Sequence, residues 1–330
     1  KNDPIFKSIR TIFTIHNLSF QGIFPKANFD KTALPKELES EKGILQKGKI
    51  NFLKSGLLYS DMINTVSETY AKEICQHKDY GLGLEAILNK RKKDLYGIIN
   101  GIDDTIWNPE VDSKIPHKFS MKNIEMKKES KKALANNFHF TAKDDVPVIG
   151  MISRLYDNKG MDLIEKAFPS LMKMNIHFIL LGTGDKKYHK FFTSMASKYH
   201  NKFSCYIGFD DELAHLIEAG SDIFLMPSKY EPCGLNQMYS LMYGTVPVVR
   251  HTGGLADTVQ AYNPKNKTGN GFVFKKYSAS KMLTEIKNAV KNFTKDQDKW
   301  QNIMHNGMKS DFTWLNSSKK YVDLYKKLTD

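Results

Sequence analysis

The strongest constraint on the fold lies in the second half of the chain, where short, continuously apolar segments alternate with helical ones. Strands that are apolar on both faces and joined by helices are typical of a parallel sheet covered on each side. The sequence therefore predicts a doubly wound α/β domain after Asp144-Asp145. The predicted strands are 146–151, 177–181, 203–207, 222–226 and 246–249, and the predicted helices are 161–174, 186–199, 212–219 and 237–243.

The first part of the chain predicts a less regular α/β pattern with long loops. Strands are expected there at 11–15, 61–66 and 95–99, and a helix is expected at 50–59. Ser67 and Thr69 can both cap the helix that follows the second of these strands.

Three segments are assigned from this pattern. Residues 1–144 form a first domain, residues 145–305 a second domain, and residues 306–330 a terminal amphipathic helix. Aromatic residues such as Trp314 and Tyr321 predict that this helix packs on another element.

Composition excludes several classes of protein. The net charge is +13, but the basic residues are scattered and form neither a stripe nor a known module, so nucleic acid is not an expected partner. Cys75, Cys205 and Cys233 form no C-x-x-C pair, which argues against a zinc site, and their sparse, odd count fits a reducing compartment. Apolar runs are strand-sized, well short of the ~20 residues that span a bilayer. We expect no metal and no membrane.

Two cations follow the first strand of the second domain. Arg154 and Lys159 lie just before a helix that begins near Met161. Helix N-termini favour anions, while the arginine fork and the lysine point charge suit a diphosphate. Two surface cations near a turn remain the alternative interpretation.

A carboxylate follows another strand of the same domain. Glu231 lies beyond the strand at 222–226, in the stretch Glu231-Pro232-Cys233-Gly234-Leu235. It could accept hydrogen bonds from sugar hydroxyls or stabilise positive charge on a sugar carbon. A helix-start glutamate favoured by the helix dipole is the alternative. Cys233 is expected to be packed rather than nucleophilic, because no histidine adjoins it.

Further polar residues and glycines also lie at predicted strand ends. Glycines there allow a close backbone approach and can present N–H groups to phosphate, although each could also be a plain turn. Ligands of doubly wound sheets bind beyond the carboxyl ends of the strands. Together these residues predict a site at the strand ends of two α/β units that face a common cleft. The residues concerned are His16, Asn100, Gly182, Gly184, Thr252, Gly253 and Gly254.

Several segments, in this order, resemble the bacterial glycogen synthase and plant starch synthase family. The resemblance covers essentially the whole chain, and the last two segments below are hard to obtain together by chance. The segments are Thr14-Ile15-His16-Asn17-Leu18, Asn64-Thr65-Val66-Ser67, Asn100-Gly101-Ile102-Asp103, Ser153-Arg154-Leu155, Glu231-Pro232-Cys233-Gly234-Leu235 and Thr252-Gly253-Gly254-Leu255-Ala256-Asp257-Thr258-Val259.

The resemblance implies two Rossmann-like domains facing a cleft, the B-type glycosyltransferase fold, with the first domain incomplete. The second domain, residues 145–305, would bind the sugar nucleotide, and the helix in residues 306–330 would return to the first domain. It implies a retaining glucosyltransferase that moves glucose from ADP-glucose, or from UDP-glucose, to the non-reducing end of an α-1,4-glucan. The partners would be a sugar nucleotide and the glucan, with no cofactor and no metal. The location would be cytoplasmic in a bacterium or plastidial in a plant.

The resemblance also implies roles for individual residues. Arg154 and Lys159 would hold the diphosphate, Glu231 would contact the donor glucose, and His16 and Asn100 would line the donor-sugar site. Phe209 would lie on the base. The other implied substrate contacts are Gly182, Gly184, Gly208, Cys233, Gly234, Leu235, Thr252, Gly253 and Gly254.

One feature of the family is missing. Its Lys-x-Gly-Gly-Leu loop has no counterpart upstream of Thr11, so we expect that the chain lacks the leading part of the first domain and does not act as a synthase alone. Another retaining transferase of the same fold is a second candidate, but such enzymes usually carry a second glutamate where this chain has Tyr239. A glucan-binding remnant without activity is the third.

Overall fold

A computed structural model describes residues 4–329 of the chain. The chain divides into two compact units: the first comprises residues up to Asn100 together with those from Leu315 onward, and the second comprises Gly101–Trp314. No helix within residues 4–329 is long and apolar enough to cross a membrane.

The elements are numbered along the chain. The strands are β1 Ile12–Ile15, β2 Ile23–Pro25, β3 Leu45–Gln46, β4 Lys49–Asn51, β5 Met62–Thr65, β6 Leu95–Gly97, β7 Val148–Ile152, β8 His177–Gly182, β9 Phe203–Ile207, β10 Ile223–Met226, β11 Val246–Arg250 and β12 Phe272–Phe274. The α-helices are α1 Phe52–Tyr59, α2 Glu68–Gln76, α3 Lys78–Gly81, α4 Glu85–Lys90, α5 Lys127–Asn137, α6 Met161–Leu171, α7 Lys186–Lys198, α8 Asp211–Gly220, α9 Asn236–Met242, α10 Gly253–Thr258, α11 Ala279–Lys295, α12 Gln297–Met308 and α13 Trp314–Thr329. Short 3₁₀ helices lie at Pro4–Phe6, Lys26–Thr32, Lys36–Leu38, Met121–Met126 and Asp157–Lys159.

The first unit contains a three-stranded parallel sheet in the order β1-β5-β6 and a small antiparallel sheet in the order β2-β4-β3. Ser67 caps α2, and its side chain accepts a hydrogen bond from the N–H of Tyr70. The terminal helix α13 packs on this unit, where the Asn64 amide donates to the Tyr321 hydroxyl at 3.3 Å. The helix that ends the chain is thus part of the unit that begins it.

The second unit is built on a six-stranded parallel sheet in the order β12-β11-β10-β7-β8-β9. Relative to their sequence order these strands follow the 3-2-1-4-5-6 pattern of a dinucleotide-type doubly wound sheet. The strand order reverses between β7 and β10, which pair in parallel through Ile149 and Ile223. Such a reversal leaves a crevice at the carboxyl ends of the two strands, where ligands of this fold bind.

Residues 101–144, which the sequence pattern assigned to the first domain, belong to the second unit in the structure. Buried polar contacts explain this. The ammonium of Lys131 lies 2.8 Å from the Asp222 carboxylate, and the buried ammonium of Lys127 donates to the Ala219 carbonyl at 2.6 Å. Burial lowers the pKa of Lys127 to about 7. Lysines that a hydrophobicity pattern assigns to the surface therefore bind α5 to the end of α8 and to the segment just before β10.

Candidate active site

A cleft of about 290 Å³ opens in the second unit, beyond the carboxyl ends of β7 and β10. It lies where the strand order reverses, at the position that the sheet topology favours for a ligand. The structure brings together many of the site residues predicted from the sequence in this cleft: Arg154, Lys159, Gly182, Gly208, Phe209, Glu231, Gly234 and Leu235.

A cation and a carboxylate meet in the lining of this cleft. The Lys159 ammonium lies 2.6 Å from Oε2 of Glu231, and the two side chains are 18% and 8% exposed. The Ser228 hydroxyl donates to the same oxygen at 2.9 Å. The other oxygen, Oε1 of Glu231, has no hydrogen-bond partner among residues 4–329. The carboxylate is thus held from one side and can accept a hydrogen bond on the other.

Arg154 differs from Lys159 in its surroundings. Its side chain is exposed at the edge of the cleft. Its guanidinium carbon lies 5.9 Å from the centre of the Tyr156 ring. No carboxylate pairs with it in the part of the chain that the structure describes. An unpaired guanidinium at the carboxyl end of a strand can meet an incoming anion with its full hydrogen-bonding capacity.

Two loops carry these side chains, and they are fastened to each other. The N–H of Lys229 donates to the Asn158 carbonyl at 2.8 Å. The Asn158 amide donates to the Tyr230 hydroxyl at 3.2 Å. Gly160 has φ +82°, and a Cβ on it would lie 2.4 Å from the Pro227 carbonyl oxygen. A residue without a side chain is needed at that position, so that the loop after β7 can lie against the loop after β10.

A buried arginine supports the loop after β10. Arg250 ends the apolar strand β11 and is 7% exposed. Its Nε donates to the Ser228 carbonyl at 2.9 Å, and Nη1 donates to the Lys275 carbonyl at 3.2 Å. Sequence reasoning missed both Arg250 and Ser228. The available signal was the arginine itself, because a cation that closes a fully apolar strand needs several hydrogen-bond acceptors.

The glycines after β11 pack against the Glu231 loop. A Cβ on Gly253 or on Gly254 would lie 1.9 Å from the carbonyl oxygen of Glu231 or of Cys233, respectively. The N–H of Gly254, which was predicted to meet phosphate, donates to the Glu231 carbonyl at 3.1 Å. The structure therefore gives this N–H a partner within the chain. The buried Thr252 precedes the pair as the N-cap of α10.

Other predicted residues also lie outside the lining of the cleft. The N–H of Gly184 donates to Nε2 of His189 at 2.9 Å. Cys233 is buried, as its predicted packing role requires. The predicted substrate contacts of Gly184, Cys233, Thr252, Gly253 and Gly254 stay predictions.

Phe209 lies at the end of β9 and is 87% exposed. It lines the cleft next to Gly208 and Asp210. A phenylalanine ring so exposed to water can stack on a flat ligand group without displacing any neighbour. This position agrees with the expectation that Phe209 lies on a base, which itself stays a prediction.

His16 and Asn100 belong to the first unit, beyond the carboxyl ends of β1 and β6 in its parallel sheet. His16 is exposed. Oδ1 of Asn100 is buried and has no hydrogen-bond partner in the described part of the chain. Buried acceptors without a partner are rare, and each calls for an explanation such as an absent ligand or water. The predicted role of Asn100 in ligand binding stays a prediction.

The described residues 4–329 form no evident metal site. No group of three or more His, Cys, Asp or Glu side chains is arranged there to hold a metal ion. The residues that line the cleft offer the cations of Arg154 and Lys159, the carboxylates of Asp210 and Glu231, and the aromatic ring of Phe209.

Family comparisons place these features among known proteins. The model of the starch synthase catalytic domain matches residues 1–90, and the model of glycosyl transferases group 1 matches residues 134–307. The fold is thus that of a glycosyltransferase. The chain belongs to the glycogen and starch synthase family, and the predicted family and α/β fold are confirmed.

Individual relatives support this assignment. The chain is 48% identical to a glycogen synthase of Pseudothermotoga lettingae over 98% of its own length and 67% of that protein. It is 49% identical to a glycogen synthase of Petrotoga mobilis over 98% of its length and 66% of the relative. The chain thus spans about two-thirds of the length of these proteins.

Solved structures agree. The catalytic domain of starch synthase IV from Arabidopsis thaliana, bound to ADP and acarbose, matches with a TM-score of 0.91 and 31% identity, over 97% of this chain and 67% of that one. The HepE protein of Anabaena, in complex with UDP and glucose, matches with a TM-score of 0.59 and 16% identity, over 96% of this chain and 71% of that one. The second match shows the fold alone.

Proposed function

We propose that this protein transfers glucose from ADP-glucose to the non-reducing end of an α-1,4-glucan, with retention of configuration. Membership of the glycogen and starch synthase family supports the reaction class and the glucan acceptor. The Arabidopsis relative, whose structure contains ADP and acarbose, supports an adenine nucleotide as the donor. UDP-glucose is the alternative donor.

The observation that carries the proposal is the ion pair between Lys159 and Glu231 in the cleft. A ligand that fits both groups has an anionic part next to a part rich in hydroxyls. A sugar diphosphate has this arrangement, because its phosphates adjoin the sugar carbon that reacts. The cleft at the strand reversal between β7 and β10 is where the fold binds nucleotides.

Different residues of the cleft would stabilise the two charges that develop during the reaction. The departing nucleoside diphosphate gains negative charge as the glycosidic bond breaks, and Arg154 with Lys159 would stabilise that charge. Positive charge develops on the sugar carbon at the same time, and the open oxygen of Glu231 would bind a sugar hydroxyl nearby. Because two side-chain cations face the leaving group, the proposed mechanism uses no metal. Phe209 would stack on the adenine.

The remaining roles are part of the same proposal. His16 and Asn100 would bind the donor sugar, and the partnerless oxygen of Asn100 supports a hydrogen bond from a hydroxyl. The expected partners are a sugar nucleotide and the glucan. A cytoplasmic location stays a prediction.

The test is transfer of labelled glucose to glycogen from ADP-glucose and, in parallel, from UDP-glucose. The assay uses the complete product of the gene as well as residues 1–330. We expect incorporation from ADP-glucose, and release of the label by an enzyme that cleaves only from non-reducing ends. Binding of ADP without any transfer by the complete product would contradict the proposal and favour a glucan-binding protein without activity.

A further inference from the structure

The Glu231 carboxylate receives both of its hydrogen bonds on one oxygen. Lys159 lies 2.6 Å and the Ser228 hydroxyl 2.9 Å from Oε2. Oε1 has no partner among residues 4–329 and belongs to a side chain that lines the cleft. A carboxylate held through one oxygen has a fixed plane, so the direction in which the other oxygen accepts a hydrogen bond is also fixed.

The Lys159 ammonium and the Ser228 hydroxyl, which both donate to Oε2 of Glu231, differ in what else they would bind. Lys159 lies on the loop after β7, and the proposed function assigns its ammonium to the diphosphate. A lysine ammonium that turns toward phosphate oxygens weakens its bond to the carboxylate, because its three N–H groups are shared between more acceptors. Ser228 is 2% exposed and lies three positions before Glu231 in the same loop. Its hydroxyl can keep the carboxylate in place while Lys159 serves the ligand.

The position of Ser228 does not depend on its own hydroxyl. Its carbonyl accepts a hydrogen bond from Nε of Arg250 at 2.9 Å, and Nη2 of the same arginine donates to the next carbonyl, that of Lys229, at 2.5 Å. The N–H of Lys229 is bound by the Asn158 carbonyl. Contacts to its backbone therefore hold the loop after β10. Removal of the Ser228 hydroxyl should remove one contact to Glu231 and leave the loop in place.

We infer that Ser228 is a positioning residue for the donor sugar, which acts by fixing the Glu231 carboxylate so that Oε1 faces a hydroxyl of the glucose. This inference rests on the proposed function, because the sugar nucleotide is what gives Glu231 its role. The nucleoside diphosphate without glucose does not use Glu231, so Ser228 contributes to the binding of ADP-glucose and not of ADP.

Calorimetric titration of residues 1–330 with ADP and with ADP-glucose tests the inference. In Ser228→Ala we expect the Kd for ADP-glucose to rise about tenfold, about 1.4 kcal/mol, while the Kd for ADP stays within twofold. Ser228→Thr keeps a hydroxyl and should restore most of the affinity for ADP-glucose. Unchanged ADP binding in both variants would show that the cleft is still folded.

The chain offers a matched control. Ser240 is also fully buried in the second unit, and its hydroxyl donates to a carboxylate, that of Glu218, at 2.7 Å. Neither Ser240 nor Glu218 lines the cleft. Ser240→Ala removes a buried hydrogen bond between a serine and a glutamate outside the cleft, and should leave the ratio of the two Kd values unchanged.

A double-mutant cycle shows whether Ser228 acts through Glu231. In a Glu231→Ala background, Ser228→Ala should change the affinity for ADP-glucose less than twofold. An undiminished tenfold effect in that background would overturn the inference. So would a Ser228→Ala variant that binds ADP-glucose as well as wild type, or one that loses affinity for ADP and ADP-glucose equally. If the wild-type chain binds ADP-glucose, these failures concern Ser228 alone. If it binds neither ADP, ADP-glucose nor UDP-glucose, both the proposed function and the inference fail.

Discussion

The two cations of the cleft give the sharpest test of the proposed mechanism, because they differ in one structural respect. Lys159 is paired with the nearly buried Glu231 carboxylate, whereas Arg154 is exposed and has no carboxylate partner among residues 4–329. Lys159→Ala and Arg154→Ala should both lower kcat, since each cation would stabilise the departing diphosphate. Only Lys159→Ala should also lower the free energy of unfolding.

The magnitudes follow from these surroundings. Removal of one well-placed donor to developing charge costs about 3–4 kcal/mol, which at about 1.4 kcal/mol per factor of ten is about a 100- to 1000-fold loss in kcat. Removal of one partner from a fully buried ion pair costs about 3–5 kcal/mol, and an exposed pair is worth about 0–1 kcal/mol. In Lys159→Ala, Glu231 keeps its hydrogen bond to Ser228, and the Lys159 side chain is 18% exposed. We therefore expect the free energy of unfolding to fall by about 1–2 kcal/mol. For a domain of this size the melting temperature would fall by about 2–8 °C.

Steady-state assays of the complete gene product with ADP-glucose and glycogen give kcat, and thermal denaturation gives the stability. Lys187→Ala is a suitable control, because Lys187 forms a 2.8 Å ion pair with Asp157 near the same loop but is well exposed. It should change neither quantity appreciably. Less than a threefold loss of kcat in both Arg154→Ala and Lys159→Ala would refute their assignment to the leaving group. Equal melting temperatures for these two variants would refute the argument from the ion pair.

Three further predictions concern the second unit and its neighbour. Cys233→Ser should leave turnover largely intact, because Cys233 is buried and packed; a glucosyl group trapped on that sulfur would overturn this. Burial lowers the pKa of His177 to about 4, so the unfolded chain takes up a proton before the folded one as the pH falls from 6.5 to 4. This difference in pKa should lower the free energy of unfolding by about 2 kcal/mol between pH 7 and pH 5. Urea denaturation at several pH values measures that free energy, and His177→Gln should lack this contribution to the loss. Identical pH profiles for the two proteins would contradict the prediction. In hydrogen-exchange experiments, the backbone amides of β7, β8 and β10, which lie in a six-stranded sheet, should be better protected than those of β1 and β5, which lie in a three-stranded sheet. Equal protection would argue against separate stabilities for the two units.

The fold of the second unit was largely predictable because its buried strands are continuously apolar. The predicted strand at 203–207 coincides with β9, and the one at 177–181 differs from β8 by a single residue. Helix α5 was missed because it buries Lys127 and Lys131, whose charges are satisfied by residues distant in sequence. The strands β2, β3 and β4 are two or three residues long, too short for any alternation of polar and apolar residues to be recognised.

The sequence alone was enough to propose residues for the candidate site, but not the contacts between them. Arg154, Lys159 and Glu231 follow strands and carry charge, so their positions in the sequence indicate a ligand. Ser228 and Arg250 act through hydrogen bonds that only the folded chain reveals. Gly253 and Gly254 allow the close packing of two loops, and the same sequence pattern is expected of glycines that bind phosphate, so the pattern alone does not separate the two roles.

The fastening of the loop after β7 to the loop after β10 has a consequence for how such enzymes can diversify. Contacts such as the one from Lys229 to Asn158 hold the two loops against each other, so the spacing between Lys159 and Glu231 depends on both loops together. Phe209 lies on a different loop, at the end of β9. Substitutions around Phe209 could exchange one nucleotide base for another while the reacting end of the donor keeps its geometry. Under the proposed function, base preference and bond-breaking chemistry would therefore be separable traits.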